Sequence, residues 1–122
     1  MVVDDDVSIL RMLGAYFTRC GFQVSTATRI DEAKRVFQRE KSWTLVVSDY
    51  HLPDGSGWDF CCWVRARSEV TPPFLLMSGG FNGKSLAGVE FLAKPFDLSE
   101  LDARVKAMLD PRAAEPSSLS PA

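Results

Sequence analysis

The sequence predicts one α/β domain, a five-stranded, doubly wound parallel sheet with helices on both faces, and three observations carry that prediction. Short apolar segments alternate with helical stretches through the first 110 residues, the pattern of repeated right-handed strand–helix–strand crossovers. Leu45-Val46-Val47 is an unbroken apolar run, as expected of a strand buried on both faces of a parallel sheet. The strand-like segments end on polar residues (Asp4-Asp5, Asp49, Ser78 and Lys94), at the carboxyl rim where open α/β sheets place their chemistry.

Each element follows in order. Met1-Val2-Val3 is a short strand running into Asp4-Asp5-Asp6. A helix starts at Ser8, with Leu10, Leu13 and Phe17 on one stripe and Gly21 as its stop. Phe22 to Ala27 alternates like a strand. Thr28 and Asp31 resemble a capping box before a helix that turns Ala33, Val36 and Phe37 inward. Trp43 to Ser48 forms the strand under Asp49, and Pro53, Gly55 and Gly57 then turn the chain. A helix over Gly57 to Arg67 buries Phe60, Cys61 and Val64, keeps Trp58 at its edge, and leaves Cys62 and Trp63 pointing away from the core.

Pro72-Pro73 breaks the chain ahead of a buried strand from Phe74 to Met77 that ends on Ser78. Val89 to Ala93 is the last strand, ending on Lys94-Pro95. Asp97 and Glu100 cap a final helix carrying Leu98, Leu101, Val105 and Leu109 at helical spacing. Residues 1–110 thus form the domain, and 111–122 have the composition of a linker or disordered tail. The crossover between Ser78 and Val89 has ten residues, four of them glycine. A parallel crossover needs about a dozen, and glycine costs about 1 kcal/mol per helical position relative to alanine. The fourth helix is therefore expected to be shortened or missing.

Composition excludes several classes. A chain of 122 residues holds one core, with 46% hydrophobic and 25% charged residues, a globular balance. A net charge of -2 gives no electrostatic case for nucleic acid or an anionic membrane as partner of this domain. No apolar run approaches the roughly 18 residues of a membrane helix, and the first residues lack a signal peptide's regions. Cys20, Cys61 and Cys62 form neither a disulfide framework nor a metal spacing, which suits reduced thiols in a cytoplasmic protein.

The polar strand ends form one constellation. In a sheet ordered 2-1-3-4-5 the first and third strands are neighbours, so Asp4, Asp5 and Asp49 converge where the strand order reverses. Two unit charges about 5 Å apart at an effective dielectric of about 20 repel by roughly 3 kcal/mol. Such a cluster holds protons or binds a cation, and oxygen-only ligands suit Mg²⁺. With Lys94 the metal would neutralise a phosphoryl group in transfer to Asp49, while Ser78 donates to one of its oxygens.

Val2-Val3-Asp4-Asp5-Asp6, Ser48-Asp49 with Leu52-Pro53-Asp54-Gly55-Ser56-Gly57, Met77-Ser78-Gly79 and Phe91-Leu92-Ala93-Lys94-Pro95-Phe96 together resemble the receiver domain of bacterial two-component response regulators, over residues 2 to about 109. The resemblance implies a flavodoxin-like fold and phosphoryl transfer to Asp49 from a histidine kinase or histidine phosphotransfer protein. It implies Mg²⁺ held by Asp5, Asp49 and the backbone carbonyl of His51, with Asp4 acting mainly through water. Lys94 would pair with the phosphoryl group, Ser78 and Phe91 would be the switch residues, and Lys94-Pro95 would be cis.

Three departures bear on output. The short fourth crossover alters a surface through which many relatives signal or dimerise, and the first strand is short. Only the tail follows the domain, so a stand-alone receiver or a piece of a larger protein is expected. Cys62 and Trp63, beside the reduced crossover, are expected to offer a patch to a partner or a second copy. Two other classes compete. A haloacid-dehalogenase-type hydrolase would need Asp-x-Asp-x-Thr after the first strand, where this chain has Asp4-Asp5-Asp6-Val7-Ser8. A pseudo-receiver would serve only as a binding module; the full acidic set, Ser78 and Lys94 argue against it, and the short fourth crossover argues for it.

Overall fold

Apolar side chains that alternate between the two sides of each strand build two cores, and the computed structural model, which describes residues 1–80 and 86–110, shows both. The elements run β1 (Val2–Val3), α1 (Val7–Arg19), β2 (Thr26–Ala27), α2 (Ile30–Phe37), β3 (Val46–Asp49), β4 (His51–Leu52), β5 (Gly55–Ser56), α3 (Gly57–Arg67), β6 (Phe74–Ser78), β7 (Val89–Ala93) and α4 (Leu98–Leu109). Five strands form a parallel sheet in the order β2-β1-β3-β6-β7, which is the expected 2-1-3-4-5 winding. β4 and β5 form a separate antiparallel hairpin between β3 and α3.

Val3, Val46, Phe74 and Leu76 pack with Ala33 and Val36 of α2 and Phe60, Cys61 and Val64 of α3 on one face. Val2, Val47, Leu75 and Met77 pack with Leu13 and Phe17 of α1 and Leu101 and Val105 of α4 on the other. Adjacent residues of one strand thus feed opposite cores, which is the period-2 rule of a sheet covered on both sides.

Helix ends follow local chemistry. Gly21, at φ 94°, lets Gly21 N–H donate to Thr18 O and Phe22 N–H to Phe17 O, a Schellman stop for α1, and the Phe22 ring meets Phe17 edge-on at 5.6 Å. Asp97 caps α4 through the Glu100 N–H at 2.8 Å.

Several expectations shift. The strand expected over Phe22 to Ala27 contracts to Thr26–Ala27, since β2 pairs only along the two-residue β1. The expected Trp43–Ser48 strand is Val46–Asp49. The capping box of Thr28 and Asp31 does not form: Thr28 donates its N–H and hydroxyl to Glu32, and Arg29 holds the N-cap position of α2 without a side-chain cap bond. Leu98, placed on the apolar stripe of the last helix, is 42% exposed. In the short crossover, residues 79, 80 and 86–88 are non-helical, and 81–85 lie outside the described residues, as does the 111–122 tail.

Trp63 does not point away from the core. Its ring stacks on Phe60 and meets Phe37 edge-on, and Lys34 and Arg67 cover it at 5.3 and 4.4 Å. Cys62 is exposed as expected, but the patch envisaged for a partner loses its main apolar member to the protein's own core. No helix among the described residues is long and apolar enough to cross a membrane.

Candidate functional site

Register brings the site together. Val3 pairs with Ser48, so the next residues, Asp4 and Asp49, leave neighbouring strands at one level. Asp49 pairs with Met77 and Ser78 with Ala93, so Ser78 and then Lys94 step up the rim by one residue each. Alternation sends Asp4, Asp49 and Lys94 toward the α1/α4 side with Val2, Val47 and Leu92. It sends Phe91 toward the α2/α3 side, and Ser78, in line with Phe74 and Leu76, follows.

The three consecutive aspartates divide the work. Asp4 is fully buried, Asp5 is exposed, and Asp6 caps α1 by accepting from Ser8 N and Ile9 N. Asp4, Asp5 and Asp49, the last 9% exposed, each offer one oxygen, and all three oxygens lie within 4.8 Å of one another. Lys94 Nζ sits 3.3 Å from Asp49 Oδ1 and 3.4 Å from Asp4 Oδ2. Lys94-Pro95 is cis, and the Lys94 N–H donates to Ser78 O at 2.7 Å, which fixes the base of the side chain.

Burial raises the Asp4 carboxyl above the usual range, against the Asp6 N–H bond at 2.9 Å; the Asp49 charge adds to the rise and Lys94 opposes it. Burial pulls the Lys94 ammonium down, but the charges of Asp4 and Asp49 outweigh it and raise it overall. Three carboxylates face one ammonium, so excess negative charge remains among hard oxygen donors. That donor set fits Mg²⁺, which Asp4, Asp5 and Asp49 would hold.

The expected switch residues are both engaged. The Ser78 hydroxyl donates to Gly80 O at 2.6 Å and accepts from Gly80 N–H at 3.2 Å. The Phe91 ring stacks on Trp58 at 6.1 Å and 15°, and its carbonyl accepts from Arg104 at 3.0 Å. His51 is exposed at the start of the hairpin, its ring edge-on to Tyr50. Of the cysteines, Cys61 is buried, which pushes its thiol up to about 11, and Cys20 and Cys62 are exposed.

Three contributors escaped the sequence reading. A Cβ at Gly57 would lie 2.4 Å from the carbonyl oxygen of Asp49, so only glycine lets α3 start this close to the central carboxylate. The Trp58 stack on Phe91 and the capping of α2 by Asp54 are long-range pairings. A helical wheel marked Trp58 as an edge residue, and only the Pro-Asp-Gly turn hinted at Asp54.

A family model described as the response regulator receiver domain matches residues 1–106. The transcriptional regulatory protein GltR of Pseudomonas aeruginosa is 32% identical over 116 residues, covering 89% of this chain and 48% of GltR. The chain spans about half the length of the curated relatives it matches. The chemotaxis response regulator CheY4 of Vibrio cholerae superposes with a TM-score of 0.79 at 28% identity, over 88% of this chain and 95% of that one. The response regulator TrrA of Thermotoga maritima, solved in complex with Mg²⁺ and BeF, gives a TM-score of 0.75 at 26% identity, over 88% and 96%.

Proposed function

Because the chain belongs to the response regulator receiver family, we propose that Asp49 is its phosphoacceptor, charged by a phosphohistidine on a histidine kinase or histidine phosphotransfer protein. The observation that carries this reading is the meeting of Asp4, Asp5 and Asp49 oxygens within 4.8 Å of one another, with one lysine 3.3 Å from Asp49. A carboxylate oxygen of Asp49 attacks phosphorus. The P–O bond of an acyl phosphate forms as the P–N bond breaks, and the imidazole leaves. Mg²⁺, when bound, would supply positive charge that offsets the charge of the carboxylates and of the phosphoryl group.

Asp4, Asp5, Asp49 and the His51 backbone carbonyl would hold that ion. Lys94 pairs with a phosphoryl oxygen and offsets charge that builds on transfer. Ser78 gives up its bond to Gly80 to donate to another phosphoryl oxygen, and Phe91 leaves the Trp58 ring as the rim rearranges. The outcome is a changed protein-binding surface, with catalysis limited to the protein's own phosphorylation and dephosphorylation. The reading carries a cytoplasmic location with it. The pseudo-receiver alternative lacks support, and the pairing of the acidic cluster with Lys94 speaks against it.

Mg²⁺-dependent labelling by a small acyl-phosphate donor tests the reading. Wild type is expected to incorporate one phosphoryl group and Asp49→Ala none; absence of labelling in wild type overturns it.

A further inference from the structure

The hairpin after Asp49 is tied at its tip to a helix elsewhere in the chain. β4 and β5 pair His51 with Ser56 and Leu52 with Gly55, which leaves Pro53 and Asp54 as the turn. From there the Asp54 carboxylate accepts the Ile30 N–H at 2.7 Å and the Asp31 N–H at 3.0 Å, the first two residues of α2. Arg29, in the N-cap position, contributes no cap bond; its Nε lies 2.9 Å from Asp31 Oδ1 and 3.9 Å from Asp54 Oδ2. A helix normally caps itself from the residue just before it. Here the acceptor comes from the loop that leads out of the phosphoacceptor strand. The contact is close along its length, since a Cβ on Gly55 would lie 2.7 Å from Ile30 Cδ1.

The base of the same hairpin is held by the sheet and by α3. Tyr50 N–H donates to Met77 O at 2.8 Å, and Gly57 N–H donates to Tyr50 O at 2.7 Å. Two-residue strands make a hairpin that is marginal by itself, so a third anchor decides how well its backbone is placed. We propose that Asp54 is a positioning residue for the metal site: by fastening the turn to the amino end of α2, it fixes the backbone at His51 against Asp5 and Asp49. A backbone carbonyl has no side-chain torsion with which to adjust, so its place is set by the loop that carries it. The inference rests on the phosphoacceptor reading, in which that carbonyl is a Mg²⁺ ligand.

Calorimetric titration of the full chain with Mg²⁺, run beside urea denaturation, tests it on wild type, Asp54→Ala, Asp54→Asn and Glu32→Ala. Glu32 supports the same helix end through the Thr28 N–H at 2.7 Å without touching the hairpin. Asp54→Ala is expected to weaken Mg²⁺ binding about 10-fold, the scale of outer-shell partners at metal sites. Asp54→Asn, which keeps one acceptor oxygen, is expected to lose less and serves if the alanine variant fails to fold. Glu32→Ala is expected to keep wild-type Mg²⁺ affinity whatever it does to stability. Wild-type Mg²⁺ affinity in both Asp54 variants, or an equal loss in Glu32→Ala, overturns the proposal. No Mg²⁺ uptake by wild type at millimolar levels removes the phosphoacceptor reading and this inference with it, a result separate from any ranking of the variants.

Discussion

The two ends of the sheet are built to different standards. At the carboxyl rim a glycine that admits no side chain and a lysine between two carboxylates fix the positions of neighbouring atoms. At the amino end, a cavity of about 360 Å³ lies beside Met1, between Phe22–Ser25 on one side and Ser42–Leu45 on the other. β1 pairs Val2 and Val3 with Thr26 and Ala27 on one side and with Val47 and Ser48 on the other. The difference teaches that close packing here is concentrated where charges must be held, while the opposite end of the same strands borders a hollow.

The largest test strikes the tight end. Gly57→Ala forces a methyl group to within 2.4 Å of the Asp49 carbonyl oxygen and 3.0 Å of Ser48 Oγ. Overpacking of this kind costs about 3 kcal/mol, expected as a lower urea midpoint with an unchanged slope. Gly14→Ala, in the middle of α1 with nothing within 4 Å of the added methyl, is expected to gain about 0.5 kcal/mol or more from helix propensity. Equal effects at the two glycines would erase the distinction between a packed and an open position.

Legibility in the sequence divides along the same line. The meeting of Asp4, Asp49 and Lys94 was readable because strand ends are marked by abrupt changes from apolar to charged residues, and because a period of two sends the three to the same side. Gly21 was readable as a stop because its chemistry is local. The strands expected over Phe22 to Ala27 and Trp43 to Ser48 were read too long, since a strand extends only as far as its neighbours: β2 pairs with the two residues of β1, and β3 begins level with Phe74 of β6. Trp63 was misplaced because a helical wheel knows nothing of Phe37 and Lys34 on the adjoining helix. Asp54 was invisible as a cap, for its partners are 24 and 23 residues away.

The smallest effect asks what the tight rim costs the fold. Asp4 is fully buried beside Asp49, and burial together with that neighbouring charge raises its carboxyl. A carboxyl raised in the folded state favours folding while protonated, and that contribution is lost as pH climbs through its folded value, so near neutrality the charged Asp4 opposes folding. Asp4→Asn keeps one acceptor oxygen, enough for the Asp6 N–H that Oδ1 accepts, while removing the charge and the Oδ2 that faces Lys94. It is expected to raise stability at pH 7.5 without Mg²⁺ and to lose that advantage when Mg²⁺ is added, because the wild-type cluster, with its third carboxylate, gains more from the ion. If Asp4→Asn is less stable than wild type in metal-free buffer, Lys94 already balances the cluster, and the carboxyl rim holds no repulsion for a cation to relieve.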